Sequence, residues 1–316
     1  MATRKDSRER VRREREEHER AASVAERRRK LRGYVLAAVL GIATVAAVAV
    51  AALSGGGGSG GQAASEAGGG GHVHGLGVNP ADGAVFVASH NGLFRAAPGD
   101  PEARLVGPAG KDVMGFSIVG PNRFLGSGHP GEGEDLPSSV GLILSTDAGR
   151  SFRPVSLLGE ADFHVLRSSG SRVYAFDSSN GRFMASRDGG QTLTALPEPP
   201  GTLVDVAIDP RNADRVIAST DSGLSTSSDG GRRWRRLGEQ IALVARAAPE
   251  RLFILDQDGQ VAVSSDGGRS FRPAGDVPGE PAAFMATGSE LYVALTDNRI
   301  MRSADGGASW SLRTQV

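Results

Sequence analysis

Five copies of one short pattern decide the fold: STDAGRSF (145–152), SRDGGQTL (186–193), SSDGGRRW (227–234), SSDGGRSF (264–271) and SADGGASW (303–310). Their aspartates, Asp147, Asp188, Asp229, Asp266 and Asp305, are spaced 41, 41, 37 and 39 residues apart. A period of about forty is the length of one four-stranded blade of a β-propeller. The residue types give each copy a mechanical role as a turn between antiparallel strands. The carboxylate can accept bonds from loop amides, the glycines can take positive φ, and the last aromatic can pack under the turn. Leu193 replaces that aromatic in the second copy, which predicts a less well packed turn there. These aspartates are therefore read as structural rather than catalytic.

Strand-like runs repeat on the same period. GLILS (141–145), GRFMAS (181–186), GLSTSS (223–228), GQVAVSS (259–265) and NRIMRS (298–303) lead directly into the boxes. Second strands precede them, as in RVYAFDS (172–178) and ELYVALT (290–296), and innermost strands come earlier still, as in DFHVLRS (162–168). Extending the alignment backwards through RFLGSGH (123–129), AVFVASH (84–90) and HVHGLGV (72–78) adds a first blade that has no box. Alternating apolar and polar residues mark most of these runs as half-buried strands. The count is six blades over 72–316; a seventh has no residues left to build it.

The boxes resemble the Asp-box, or BNR, repeats of bacterial sialidase-like glycosyl hydrolase propellers, and the likeness covers residues 72–316. It implies an all-β six-bladed β-propeller and makes a sialidase-like glycoside hydrolase one expectation for activity. The arginine triad, Tyr/Glu nucleophile pair and acid of true sialidases do not assemble here. FRPV (152–155) and FRPA (271–274) follow boxes rather than precede the first one. Tyr174 and Tyr292 fall inside second strands, where a core role is expected. Arg123, Arg172, Arg215 and Arg251 are placed at the starts of second strands, on the box side.

Five of the six histidines lie within 72–164. Strands alternate in direction, so starts of innermost strands and ends of second strands share one face, opposite the boxes. His72, His74 and His164 fall at starts of innermost strands; His90 and His129 fall at ends of second strands. All five are thus expected on one sector of one face. His72 and His74 are two apart, so in a regular strand they point to the same side, roughly 7 Å apart. Neutral imidazoles favour Cu, Zn, Ni or Fe, and copper or zinc is the expected metal. Asp112 and Asp162 begin innermost strands on the same face, and the loop 130–139 adds Glu132, Glu134 and Asp135. Together with Asp205 these carboxylates are also the candidates for hydrolytic acid and nucleophile. Only 16 of 316 residues are aromatic, which disfavours a sugar platform.

The N-terminal part sets the location. Of the 36 basic and 36 acidic side chains, 13 and 7 lie in residues 1–32, which leaves 23 and 29 for the rest. The propeller is therefore acidic overall and is not expected to bind nucleic acid. Residues 1–33 read as a charged cytoplasmic tail, and residues 34–53, YVLAAVLGIATVAAVAVAAL, carry no charge. A helix of that length covers about 30 Å, the bilayer core. Arg27, Arg28, Arg29, Lys30 and Arg32 before it place the N-terminus in the cytoplasm by the positive-inside rule. Residues 54–71 are a Gly/Ser-rich linker with a reach on the order of 25 Å. The whole reads as a single-pass protein of a bacterial plasma membrane, with the propeller on the extracytoplasmic side. With no cysteine there is no disulfide framework and no thiolate site. The expected function is binding of a ligand on the His-bearing face, either a transition metal or a polar ligand held by some of these histidines. A glycosidase and an assembly scaffold are the alternatives.

Overall fold

The computed structural model describes residues 71–316. The charged tail, the apolar span and all but the last residue of the linker lie outside the described residues. Among the described residues no helix is long and apolar enough to cross a membrane.

Six four-stranded antiparallel sheets follow one another along the chain. Blade 1 comprises β1 (Val73–Val78), β2 (Val85–Ser89), β3 (Gly92–Ala96) and β4 (Arg104–Val106). Blade 2 has β5 (Val113–Gly120), β6 (Arg123–Gly128), β7 (Leu142–Ser145) and β8 (Arg153–Ser156). Blade 3 has β9 (Phe163–Ser169), β10 (Arg172–Asp177), β11 (Arg182–Ser186) and β12 (Thr194–Ala195). Blade 4 has β13 (Leu203–Asp209), β14 (Asn212–Thr220), β15 (Gly223–Ser227) and β16 (Arg235–Gly238). Blade 5 has β17 (Leu243–Ala248), β18 (Arg251–Leu255), β19 (Gln260–Ser264) and β20 (Arg272–Asp276). Blade 6 has β21 (Pro281–Thr287), β22 (Glu290–Leu295), β23 (Arg299–Ser303) and β24 (Ser311–Gln315). This is an all-β six-bladed β-propeller.

Side-chain alternation explains why the blades stack. Successive residues of a strand point to opposite faces of its sheet, and here both faces meet a neighbouring blade. On β2, Phe86 and Ala88 pack against Phe116 and Phe124 of blade 2. Val85 and Val87 pack the other way, against Ala283, Tyr292, Ala294 and Ile300 of blade 6. All five residues of β2 are buried, so the strand reads as a continuous apolar run rather than an alternating one.

Each box occupies the seam with the blade before it. In the first, Ser145 Oγ donates to Asp147 Oδ1 at 2.8 Å and accepts from the amide of Gly149 at 2.8 Å. Asp147 also accepts from the amide and hydroxyl of Ser151, at 3.0 and 2.6 Å. Phe152 then packs against the core between blades 1 and 2. Trp234, Phe271 and Trp310 fill the equivalent places between later blades. Leu193 does so too and is half-buried like the aromatics, but the outer strand beyond it shrinks to two residues.

Blade 1 uses four consecutive strands, so the ring closes without a strand exchanged between its ends. Closure rests on the core shared by blades 6 and 1 and on a parallel bridge between Glu102 and Gln315. The Arg313 guanidinium adds a bond to the Ala97 carbonyl at 2.8 Å. One boundary differs from expectation. Arg215 lies within β14 rather than at its start, because a tight hairpin pairing Asp209 with Asn212 extends that strand backwards.

Candidate functional site

The five histidines of the propeller are placed on the face opposite the boxes, where β1, β5 and β9 begin. A β-bulge changes how the first pair is used. Val73 pairs with Ser89 and Gly75 with Ala88, which leaves His74 as the extra residue. Bulges bend a strand and re-aim the side chain they carry. His74 therefore does not keep the regular two-residue alternation with His72. Its ring meets that of His90 edge to face at 4.3 Å, whereas His72 stands 6.2 Å from His90. His164 is the extra residue of a matching bulge on β9, between Phe163 and Val165.

One ligand atom from each of His74, His90 and Asp112 lies within 4.8 Å of the other two. The expected His72–His74 chelate is thus replaced by a set drawn from two blades. His90 Nδ1 is 3.1 Å from Asp112 Oδ1, and this bond, ahead of the opposing effect of burial, raises the His90 pKa. His74 behaves in the opposite way. Burial, with smaller contributions from His90, His164 and His72, lowers its pKa to about 3, so the ring is neutral at physiological pH. Its Nε2 is buried without a hydrogen-bond partner. A neutral imidazole with an unused nitrogen is the ligating form of histidine.

The arrangement continues around the ring. His129 Nε2 is 4.0 Å from Asp112 Oδ2 and 3.9 Å from Asp162 Oδ2. His164 Nε2 is 2.8 Å from Asp162 Oδ2. Two carboxylates therefore link the histidines of three blades. Gly128 makes the approach of β5 and β6 feasible. Its φ is +138°, and a Cβ there would lie 2.2 Å from the Asp112 carbonyl oxygen, which accepts from the His129 amide at 3.0 Å.

The other expected carboxylates are already engaged or stand apart. Asp205 is buried and bonds Arg167 at 2.7 Å, together with the amides of Val206 and Val244. Burial raises its pKa while Arg167 opposes the rise. Glu134 pairs with the buried Lys111 and accepts from the Gly131 amide at 2.7 Å, which ties down the loop beside the site. Glu132 and Asp135 are exposed on that loop and do not join the His74–His90–Asp112 set. Tyr174 is buried and donates to the Ala213 carbonyl, and Tyr292 donates to Glu290. Lys111 and Gly128 were not singled out from sequence; a lysine beside Asp112 gives no sign of being buried.

A cleft of about 390 Å³ opens on the box side, lined in part by Asp82, Arg95, Asn122 and Asp147. Its charges are satisfied locally, since Arg95 bonds Asp82 at 2.8 Å and Asp147 belongs to its box. Size alone therefore does not make it the better site.

No protein-family model matches the chain. Over 99 residues it is 35% identical to the dispase autolysis-inducing protein of Streptomyces mobaraensis. That stretch is 31% of this chain and 26% of the relative, so the chain matches only about a quarter of that protein. A GH74 xyloglucanase from Xanthomonas campestris superposes with a TM-score of 0.53 at 17% identity, over 78% of this chain and 45% of that one. A chain of a nidogen/laminin complex superposes with a TM-score of 0.57 at 12% identity, over 72% and 91%. What these structures share with this chain is the fold. Fold does not assign chemistry.

Proposed function

We propose that the chain is a membrane-anchored bacterial protein whose propeller lies on the extracytoplasmic side and binds a transition metal, copper or zinc, through His74, His90 and Asp112. The observation that carries this reading is the buried, unpartnered Nε2 of His74 beside His90 and Asp112. A buried polar atom without a partner is costly, and a metal ion would satisfy it. Two imidazoles and one carboxylate are a borderline donor set suited to Zn²⁺ or Cu²⁺. The Ser-x-Asp-x-Gly turns support kinship with Asp-box propellers of sialidase-like form.

The hydrolase alternative has less behind it. It requires two carboxylates free to act as acid and nucleophile. Asp205 and Glu134 are held by Arg167 and Lys111, and Asp112 and Asp162 face histidines. A scaffold role needs only the disc surface and singles out no residue.

The test is the metal content of the purified full chain after loading with Zn²⁺ or Cu²⁺ and desalting, beside His74→Ala. The expected result is retained metal in the natural chain and the loss of one equivalent in the variant. A natural chain that retains no metal would overturn the reading.

A further inference from the structure

The boxes and the turns between innermost and second strands share one side of the disc, and in blades 3 and 4 that side is crowded with arginine. Blade 4 places Arg211 and Arg215 around its β13–β14 hairpin, and Arg232, Arg233 and Arg235 in its box and at the start of β16. All five are exposed, and none lies within ion-pairing distance of a carboxylate among the described residues. Blade 3 adds Arg187, exposed on its box, and Arg172, whose side chain is only 10% exposed. Both reach across the seam to a single oxygen, Oδ1 of Asp214 in β14, with Arg187 at 3.4 Å. Burial lowers the pKa of Arg172, and the nearby charges of Arg187 and Arg232 lower it further. Three guanidiniums thus gather about one carboxylate, and Asp214 offsets only part of their charge.

The excess is local. Residues 33–316 hold 23 basic and 29 acidic side chains, and exposed carboxylates such as Glu160, Glu198, Asp258 and Glu280 lie on the histidine side. Asp188 and Asp229 stand among the arginines, but each is held by its own box. Asp188 accepts from the Ser186 hydroxyl and the Thr192 amide, and Asp229 from the Ser227 hydroxyl and the amides of Arg232 and Arg233. A guanidinium fork binds carboxylate or phosphate through paired bonds. A dense polyanion laid across this side would meet a box carboxylate at each blade, whereas a short acidic peptide can set its carboxylates between them.

We propose that the box side of blades 3 and 4 is a docking surface for an acidic segment of a partner protein, contacted chiefly by Arg187, Arg232 and Arg233. Arg172, held by Asp214 and stacked 5.6 Å from the centre of the Tyr174 ring, braces the seam. The surface lies on the side of the disc away from His74, His90 and Asp112, so a partner docked there leaves the histidine face open.

The test measures fluorescence anisotropy of a labelled peptide of alternating Glu and Gly, with the full chain in detergent at physiological salt. The same peptide with Gln for Glu is the neutral control. Two triple variants are compared with the natural chain, and circular dichroism confirms that each keeps its strands. One is Arg187→Gln/Arg232→Gln/Arg233→Gln; the other, on the box side of blade 2, is Arg123→Gln/Arg150→Gln/Arg153→Gln. The acidic peptide should bind and the neutral one should not. Loss of three exposed ion pairs should weaken binding by roughly tenfold in the first variant. The second variant should bind nearly as the natural chain does. Equal weakening in both would overturn the docking surface, because general charge would then explain the binding. Tighter binding of polyphosphate than of the peptide would overturn the acidic protein partner. So would salt-sensitive self-association in sedimentation that the first variant abolishes, since the acidic side of a second copy would then be the occupant. No binding of either peptide would overturn the proposal outright.

Discussion

The rings of His74 and His90 meet edge to face with their centroids 4.3 Å apart, although His90 directly follows one hairpin strand and His74 is the bulged residue of the other. The contact keeps two imidazoles together beside Asp112 without either relying on His72. His90→Ala is therefore expected to lower Zn²⁺ or Cu²⁺ affinity by roughly 10–100-fold or more, the range seen when even an outer partner of a metal ligand is lost. Competition with a chromophoric chelator measures it. His72→Ala should change affinity far less.

The glycine two residues after each box aspartate lies against the preceding blade. At Gly190 φ is +94°, and a Cβ would sit 2.1 Å from Leu142 Cδ2. Gly190→Ala is expected to destabilise the propeller by about 1–3 kcal/mol through overpacking, with backbone strain added. Urea unfolding reports it as a lower midpoint. Gly189→Ala, with open space around its Cβ, should cost less, since only its positive φ resists the change.

The boxes also set an acid limit. The Ser309 hydroxyl and amide, then the Ser303 hydroxyl, hold Asp305 down at about 2. A carboxylate whose pKa is lower folded than unfolded adds stability above the unfolded value, about 3.9, and that stability is lost as pH falls towards the folded one. Ser309→Ala removes part of this hold. The gap in urea midpoint between the natural chain and the variant should be full at pH 6 and narrow as pH approaches 2.

Ring closure depends on few polar contacts. Arg313 donates to the carbonyl of Ala97 at 2.8 Å and approaches that of Ala96 at 3.4 Å. Arg313→Ala is expected to cost about 1.5–3 kcal/mol, the range for hydrogen bonds to a charged group. Hydrogen exchange should quicken first in β24 and β4 rather than uniformly around the ring. Uniform acceleration would speak against a local closure.

Topology can be checked separately. Replacing Arg27, Arg28, Arg29, Lys30 and Arg32 with neutral residues removes the charge bias before the apolar span. Protease added outside intact cells should digest the propeller of the natural chain and digest a smaller fraction of the variant.

The period of the boxes made six blades legible, because each turn needs the same Ser, Asp and Gly chemistry wherever it occurs. The second strand ELYVALT begins where β22 does, at Glu290. Outer strands were less legible; β12 and β4 are too short and too exposed to leave a pattern. The placement of the histidines on one face followed from strand direction alone. Which of them converge did not, since regular alternation pairs His72 with His74 and a single extra residue in β1 breaks that pairing.

Sequence by itself determined the repeat, the blade number, the alternation of faces and the charge asymmetry of the chain, all of which depend on residue type and local spacing. Tertiary structure alone decided that the Nε2 of His74 would be buried without a hydrogen-bond partner, and that Asp112 would stand between His90 and His129. It also decided that Asp205 and Glu134 would be taken by Arg167 and Lys111. Those outcomes depend on bulges, on a glycine at φ +138°, and on the packing of three blades whose residues are far apart in the chain. Distances of a few ångströms between such residues arise only when neighbouring blades pack.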